Sequence, residues 1–211
     1  MILKLRLIGD LHCDVTAVTS MMQTLPEYDL TIQVGDCGIG FGMEEIIERY
    51  DTTNLMKLAI IQGNHDNPNL FPQIPYLKDR FGIIILGGFK IFYVAGAHSM
   101  DYTSRTEGLD WWSNEELSWQ EQNECLNLWE KHKDCDLVIS HDCPLPACLQ
   151  MGHDLVETTT RSLLYEMLKI QASPQWVFGH WHRSHSFQMY NTSFQCLNIN
   201  EELVINTCPK Y

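Results

Sequence analysis

Short apolar runs recur along this chain, and five of them end in polar turns built from a narrow set of residues: Asp10-Leu11-His12, Gly35-Asp36, Gly63-Asn64-His65-Asp66, Ser140-His141 and Gly179-His180-Trp181-His182. No other feature constrains the fold as much. Ile2 to Ile8 alternates at first, with Leu3, Leu5 and Leu7 set against Lys4 and Arg6, as a strand does. Leu30–Val34, Leu58–Ile61, Leu137–Ser140 and Trp176–Phe178 are the other runs that lead into the polar turns. Ligand-binding groups of α/β proteins gather at the carboxyl ends of the strands, so these turns are expected to meet at one edge of the sheet structure.

Ile83–Leu86 and Ile91–Ala95 read as a hairpin about Gly87-Gly88, and the tail from about Ser184 to Ile205 gives two or three further strands. Helical periodicity falls at Val15–Leu25, Met43–Tyr50, Asn114–His132 and Thr159–Lys169. In the longest of these, Leu117, Cys125, Leu128 and Trp129 can share one face. The strand–helix alternation predicts an α/β fold, and the strand-rich last third predicts mixed rather than purely parallel sheets. No linker or repeat divides the chain, and its 211 residues suit one domain, 1–211, with one core.

Charge narrows the partners. With 27 acids against 14 bases and no Lys/Arg cluster, the chain lacks the basic track that holds extended nucleic acid. A small molecule is the expected partner class rather than extended nucleic acid. The N-terminus carries Lys4 and Arg6 and has no signal-like apolar segment, and no run reaches the roughly 18 residues of a membrane span. The eight cysteines form no C-x-x-C pair and read as reduced, mostly buried thiols of a cytosolic protein. Cys13 and Cys37 stand apart because each adjoins a candidate ligand.

The polar turns hold carboxylate, amide and imidazole groups, which bind divalent metals through oxygen or nitrogen. A single His or Gly-Asp turn would carry little weight, since both are ordinary. Their joint occurrence, in order, each after an apolar run, carries much more.

The pattern D-x-H, G-D, G-N-H-D, a single His, then G-H-x-H resembles the calcineurin-like metallophosphoesterase superfamily. The resemblance implies two mixed β-sheets packed face to face as a sandwich with flanking helices. It also implies two divalent metals, manganese first among iron, zinc, nickel and magnesium. Asp10, His12 and His182 would hold one ion and Asn64, His141 and His180 the other, with Asp36 bridging them. A hydroxide shared by both ions would attack a small phosphomonoester or phosphodiester. Neutral His and Asn ligands, mixed with few carboxylates, would leave the site positive enough to admit a phosphate. By the same resemblance His65 would act at the leaving oxygen, and Asp66 would orient its ring and raise its pKa. Asp66 can also simply cap the segment before Pro68.

Several residues carry two readings. Asp142 is either a partner that fixes a ligand His or a turn residue before Pro144. Arg105 is a candidate clamp on the substrate phosphate, or it pairs with Asp101 or Glu107. His98 either reaches substrate or lies on a surface loop. Trp111, Trp112, Trp119 and Trp129 suggest an aromatic platform, but helix packing in the core explains them better. Arg161 and Arg183 are expected at the surface. The loops 97–113 and 143–160 are expected to set specificity. The alternatives in function are a nuclease, which would need DNA-binding elements not visible here, and a non-catalytic scaffold, which would be expected to have lost ligands. A protein phosphatase is disfavoured, since Cys13 stands where that branch has Gly and Asp66 where it has Glu.

Overall fold

In the computed structural model, which describes residues 2–132, 134–152 and 155–208, ten strands form two sheets. The first is ordered β10-β1-β2-β3, with β1 at Leu3–Ile8, β2 at Leu30–Gln33, β3 at Leu58–Ile60 and β10 at Glu202–Thr207. The second is ordered β4-β5-β6-β7-β9-β8. Its strands are β4 (Phe81–Leu86), β5 (Phe89–Val94), β6 (Leu137–Ser140), β7 (Gln175–Phe178), β8 (His185–Met189) and β9 (Thr192–Cys196).

Both sheets are mixed. The pairs β1·β2 and β2·β3 are parallel, as are β5·β6, β6·β7 and β7·β9. The antiparallel pairs β1·β10, β4·β5 and β8·β9 lie at the margins. Two hairpins explain two of these. Gly87-Gly88 and Tyr190-Asn191 all take positive φ, as the tight turn between twisted strands requires.

Strand alternation sorts the core into three clusters. Leu5 and Leu7 of β1 and Ile32 of β2 meet Ile91 and Tyr93 of β5, Leu137 and Ile139 of β6 and Val177 of β7, which is the packing between the sheets. The outward-facing residues of the first sheet, Ile8 and Ile60, pack with Val18, Met21 and Met22 of α1 (Val15–Thr24). On the second sheet Phe92, Val138 and Trp176 pack with Cys125 and Trp129 of α4 (Trp119–Lys131). Four layers result, helix on sheet on sheet on helix, as the family resemblance implied.

The helix limits differ from expectation where capping decides them. The expected helix 114–132 begins only at Trp119, because Ser118 and Glu121 form a reciprocal capping box. The expected helix 43–50 stops early, as α2 (Met43–Ile47), and a separate turn of helix, α3 (Thr52–Leu55), capped by Asp51, follows it. A short helix at Ala147–Gln150 has no periodicity to announce it. The last helix spans Thr159–Ile170 with Thr158 as its cap. Trp112 and Trp129 are buried, as core packing predicts, whereas Trp119 is 79% exposed at the first turn of its helix. Among the described residues, no helix is long and apolar enough to cross a membrane.

Candidate metal centre

Parallel register brings the polar turns together. Asp10 follows β1, Asp36 follows β2, Asn64 follows β3, His141 follows β6 and His180 follows β7, each at the carboxyl end of its strand. The chain must reverse sharply there. Cys13 and the candidate ligands His12, Asp36, His180 and His182 all sit at φ between 44° and 67°, a region non-glycine residues seldom occupy. The glycines before the ligands make room across the sandwich. A Cβ on Gly35 would lie 2.2 Å from His141 Nδ1, and one on Gly179 would lie 2.2 Å from Asp10 Oδ1.

Two donor groups form, and they share Asp36. Asp10, His12, Asp36 and His182 place ligand atoms within 4.8 Å of one another, as do Asp36, His141 and His180. In the first group His12 Nε2 and His182 Nε2 are 2.7 Å apart, and His182 Nε2 is 3.2 Å from Asp10 Oδ2. In the second, His141 Nε2 is 3.3 Å from Asp36 Oδ1 and 3.2 Å from Asn64 Oδ1. All seven residues that the resemblance implied as ligands therefore converge.

The donors fit a divalent pair on their own chemistry. Asp36 Oδ2 is buried without a hydrogen-bond partner, although a buried carboxylate oxygen normally has one. It faces His12 Nε2 at 3.8 Å. Burial pushes the Asp36 carboxyl up, but His141, His65 and His12 outweigh it, and the net shift is well downward. Burial lowers His141, yet Asp36 and then Asp10 raise it to about 10. This cluster of acceptors calls for positive charge at its centre. The oxygen and nitrogen donors suit Mn, Fe, Zn, Ni or Mg and do not select among them.

Other residues aim the ligands. His141 Nδ1 donates to the Val34 carbonyl at 3.0 Å, which turns the Nε2 lone pair toward the centre. Asn64 Nδ2 donates to Ser99 Oγ at 3.2 Å, so the amide oxygen is the atom left to bind. Ser99 Oγ in turn donates to Glu115 Oε2 at 2.6 Å, and Ser99 N donates to Glu115 Oε1 at 2.7 Å. Asp10 accepts the His180 N–H on both oxygens at 3.1 Å. Sequence reading missed Ser99 and Glu115, since a lone Ser and a lone Glu in a loop carry no motif.

Three expectations need correcting. Asp66 does not orient His65. Its Oδ1 accepts from Gly38 N and Ile39 N at 2.8 Å, and its Oδ2 from Asp36 N and Gly63 N at 2.9 Å, so both oxygens are already filled by backbone. Burial and the charge of Asp36 raise its own pKa to about 6. Second, His65 is shifted down and not up, first by burial and further by Arg105, with Asp36 opposing. Third, Arg161 is buried and not at the surface. Its Nε donates to Asp142 Oδ2 at 2.7 Å, and its guanidinium lies 4.8 Å from the Trp181 ring.

The double readings resolve as follows. Asp142 is fully buried, 4.0 Å from His180 Nε2, and also accepts from Trp181 Nε1 at 2.9 Å. It braces a candidate ligand. Arg105 pairs with Asp101 at 2.8 Å, the second of its two readings, and its guanidinium lies 3.0 Å from His65 Nε2. His98 is placed away from the ligands, with Nδ1 3.3 Å from Glu116 Oε2 and its ring on a separate polar cavity with Gln122 and Thr158. Arg183 is exposed, as expected. Cys37, Cys125, Cys135, Cys143, Cys148 and Cys196 are buried and free, while Cys13 and Cys208 are exposed.

Comparison with known proteins gives the same fold. No curated protein sequence matches the chain. Among solved structures, a protein of Thermus thermophilus superposes with a TM-score of 0.59 at 10% identity, covering 98% of this chain and 99% of the other. A dimetal phosphatase from Danio rerio gives a TM-score of 0.58 at 12% identity over 93% and 87% of the two chains. The anchor in the inner membrane complex of Plasmodium gives 0.55 at 11% identity over 93% and 71%. At such identities the likeness is one of fold, shared here by a phosphatase and an anchor. The sequence model for calcineurin-like phosphoesterases matches residues 3–184, a span that holds all the converging turns, and this chain belongs to that family.

Proposed function

We propose that the chain hydrolyses a small phosphorylated ester with the help of two divalent cations, manganese being the first to try. Asp10, His12 and His182 would hold one, Asn64, His141 and His180 the other, and Asp36 both. When bound, such a pair lowers the pKa of water and offsets phosphate charge. The single observation that supports this reading most is Asp36, a buried carboxylate shared by both donor groups with one oxygen unpartnered.

The chain's own residues supply the rest. His65 lies in the cleft beside His12, ring centroids 5.0 Å apart, and its backbone N–H donates to Asp36 Oδ1 at 2.7 Å. Its lowered pKa keeps the ring neutral near pH 7, where the ring N–H can donate to the leaving oxygen. Arg105 stands next to it and would meet a non-bridging phosphate oxygen. The reading treats residues 1–211 as one catalytic unit in a reducing, cytosolic setting, which the free cysteines suit.

The test is an assay of metal-stripped and manganese-resupplied protein on a chromogenic phosphomonoester and a phosphodiester, alongside metal analysis. Turnover should require metal and collapse in Asp36→Ala and in His65→Ala. Asp36→Ala should also lose metal while His65→Ala keeps it. A protein that binds both ions and turns over neither ester would instead favour the anchoring role that this fold serves elsewhere.

A further inference from the structure

Two cavities flank His65. One, of about 470 Å³, opens between His12, Cys13, Phe41 and Ser104. The other, of about 500 Å³, opens between Asn64, Met100, Val156 and Trp181. Both are lined by His65, Asp101 and Arg105, so these three form a shared ridge. The first lobe abuts His12 of one donor group, and the second abuts Asn64 and His180 of the other.

A phosphate held over the shared Asp36 therefore has open space on two sides. A monoester has one organic arm and fills one lobe. A diester has two arms and fills both. Charge points the same way. A monoester carries close to two negative charges at neutral pH, and a diester carries one. Among the described residues lining the lobes, each guanidinium already faces an acid: Arg105 meets Asp101 at 2.8 Å, and Arg161 meets Asp142 at 2.7 Å. Asp110 adds a further carboxylate to the first lobe. Among the described residues lining the lobes, no guanidinium is free of an acid partner, so Arg105 can hold one phosphate oxygen but little is left to favour the extra charge of a monoester.

We propose that the substrate class is a small phosphodiester with one arm in each lobe, an inference that rests on the phosphoesterase reading above. Water adds its oxygen to phosphorus, the bond from phosphorus to one ester oxygen breaks, and that arm leaves as an alcohol carrying a proton. The other arm remains on a phosphomonoester product. Met100, Val156 and Trp181 in one lobe and Phe41 in the other fit apolar or aromatic arms.

Manganese-loaded protein would be assayed on bis(p-nitrophenyl) phosphate and p-nitrophenyl phosphate, in wild type and in two lobe-filling variants at exposed positions, Ser104→Trp and Val156→Trp. Binding of diphenyl phosphate, followed by calorimetry, gives a readout independent of turnover. Wild type should prefer the diester by at least about tenfold in kcat/KM. Each variant should lower diphenyl phosphate affinity by about tenfold and diester turnover more than monoester turnover, so that the ratio of the two kcat/KM values falls by about threefold or more. A wild type that prefers the monoester, or variants that depress both esters equally, would overturn the diester inference and leave the phosphoesterase reading standing. No turnover of either ester with both metals bound would sink that reading, and this inference with it.

Discussion

The two halves of the candidate centre are built differently. In the first, His12 and His182 are 25% and 44% exposed in their side chains, and their ring nitrogens face each other at 2.7 Å. In the second, His141 is fully buried and His180 is 14% exposed. There His141 is braced by Val34, Asn64 by Ser99 and Glu115, and His180 by Asp142. A ligand fixed before the ion arrives loses little freedom on binding, whereas a mobile one must be ordered at that moment. The second half should therefore bind more tightly and exchange more slowly than the first.

The largest effect should come from the residue both halves share. Asp36→Ala should abolish binding of both ions and lower turnover on the order of 10³-fold or more, read by metal analysis and kinetics. Loss of only one ion would show that the halves are independent. Next is the brace on His180. Asp142→Ala leaves Arg161 buried without its partner and should cost about 3–5 kcal/mol in urea unfolding, as loss of one member of a buried pair does. Burial raises the Asp142 carboxyl, but His180 and Arg161 hold it below its ordinary value. Its contribution is therefore present above the ordinary carboxylate range and fades as pH falls through the lowered pKa, so the gap between wild type and variant should close in acid.

Ser99→Ala should weaken the second ion by about 10–100-fold and spare the first, measured by calorimetric titration with manganese. Equal weakening of both ions would break the comparison between the halves. The smallest effect belongs to Trp119→Ala, which should change stability by less than about 0.5 kcal/mol because the ring is 79% exposed. Trp129→Ala, by contrast, should cost about 3–5 kcal/mol, since its ring is fully buried against Phe92.

The sequence shows the first half of this comparison as clearly as the second. Every candidate ligand can be named from it, because the five polar turns carry the family resemblance that implies all seven, and each turn follows an apolar run. The strands are legible too, through alternation such as that of Leu3, Leu5 and Leu7 with Lys4 and Arg6, while the packing of the two sheets follows from the resemblance alone. The braces are not legible. Glu115 lies 51 residues beyond Asn64 in sequence and reaches it only through Ser99 and a folded loop. Arg161 reads as a surface residue because nothing local says that Asp142 will be buried beside it. The late start of the helix at Trp119 could have been foreseen from Ser118 and Glu121, whose spacing is that of a capping box. Asp66 was legible as a residue and misread in its role, since its acceptors face four amides and not a ring.

That last contact bears on how the site can be moved or made. One side chain fastens the turn after β2 to the turn after β3, so neither turn keeps its shape without the other. A designer grafting this centre onto another scaffold would have to transplant the two turns as a single cassette, Asp66 included, even though both of its oxygens are spent on backbone amides. Asn in its place would turn an N–H donor toward amides that need acceptors, and the graft would carry all of its ligands yet fail to hold them in place.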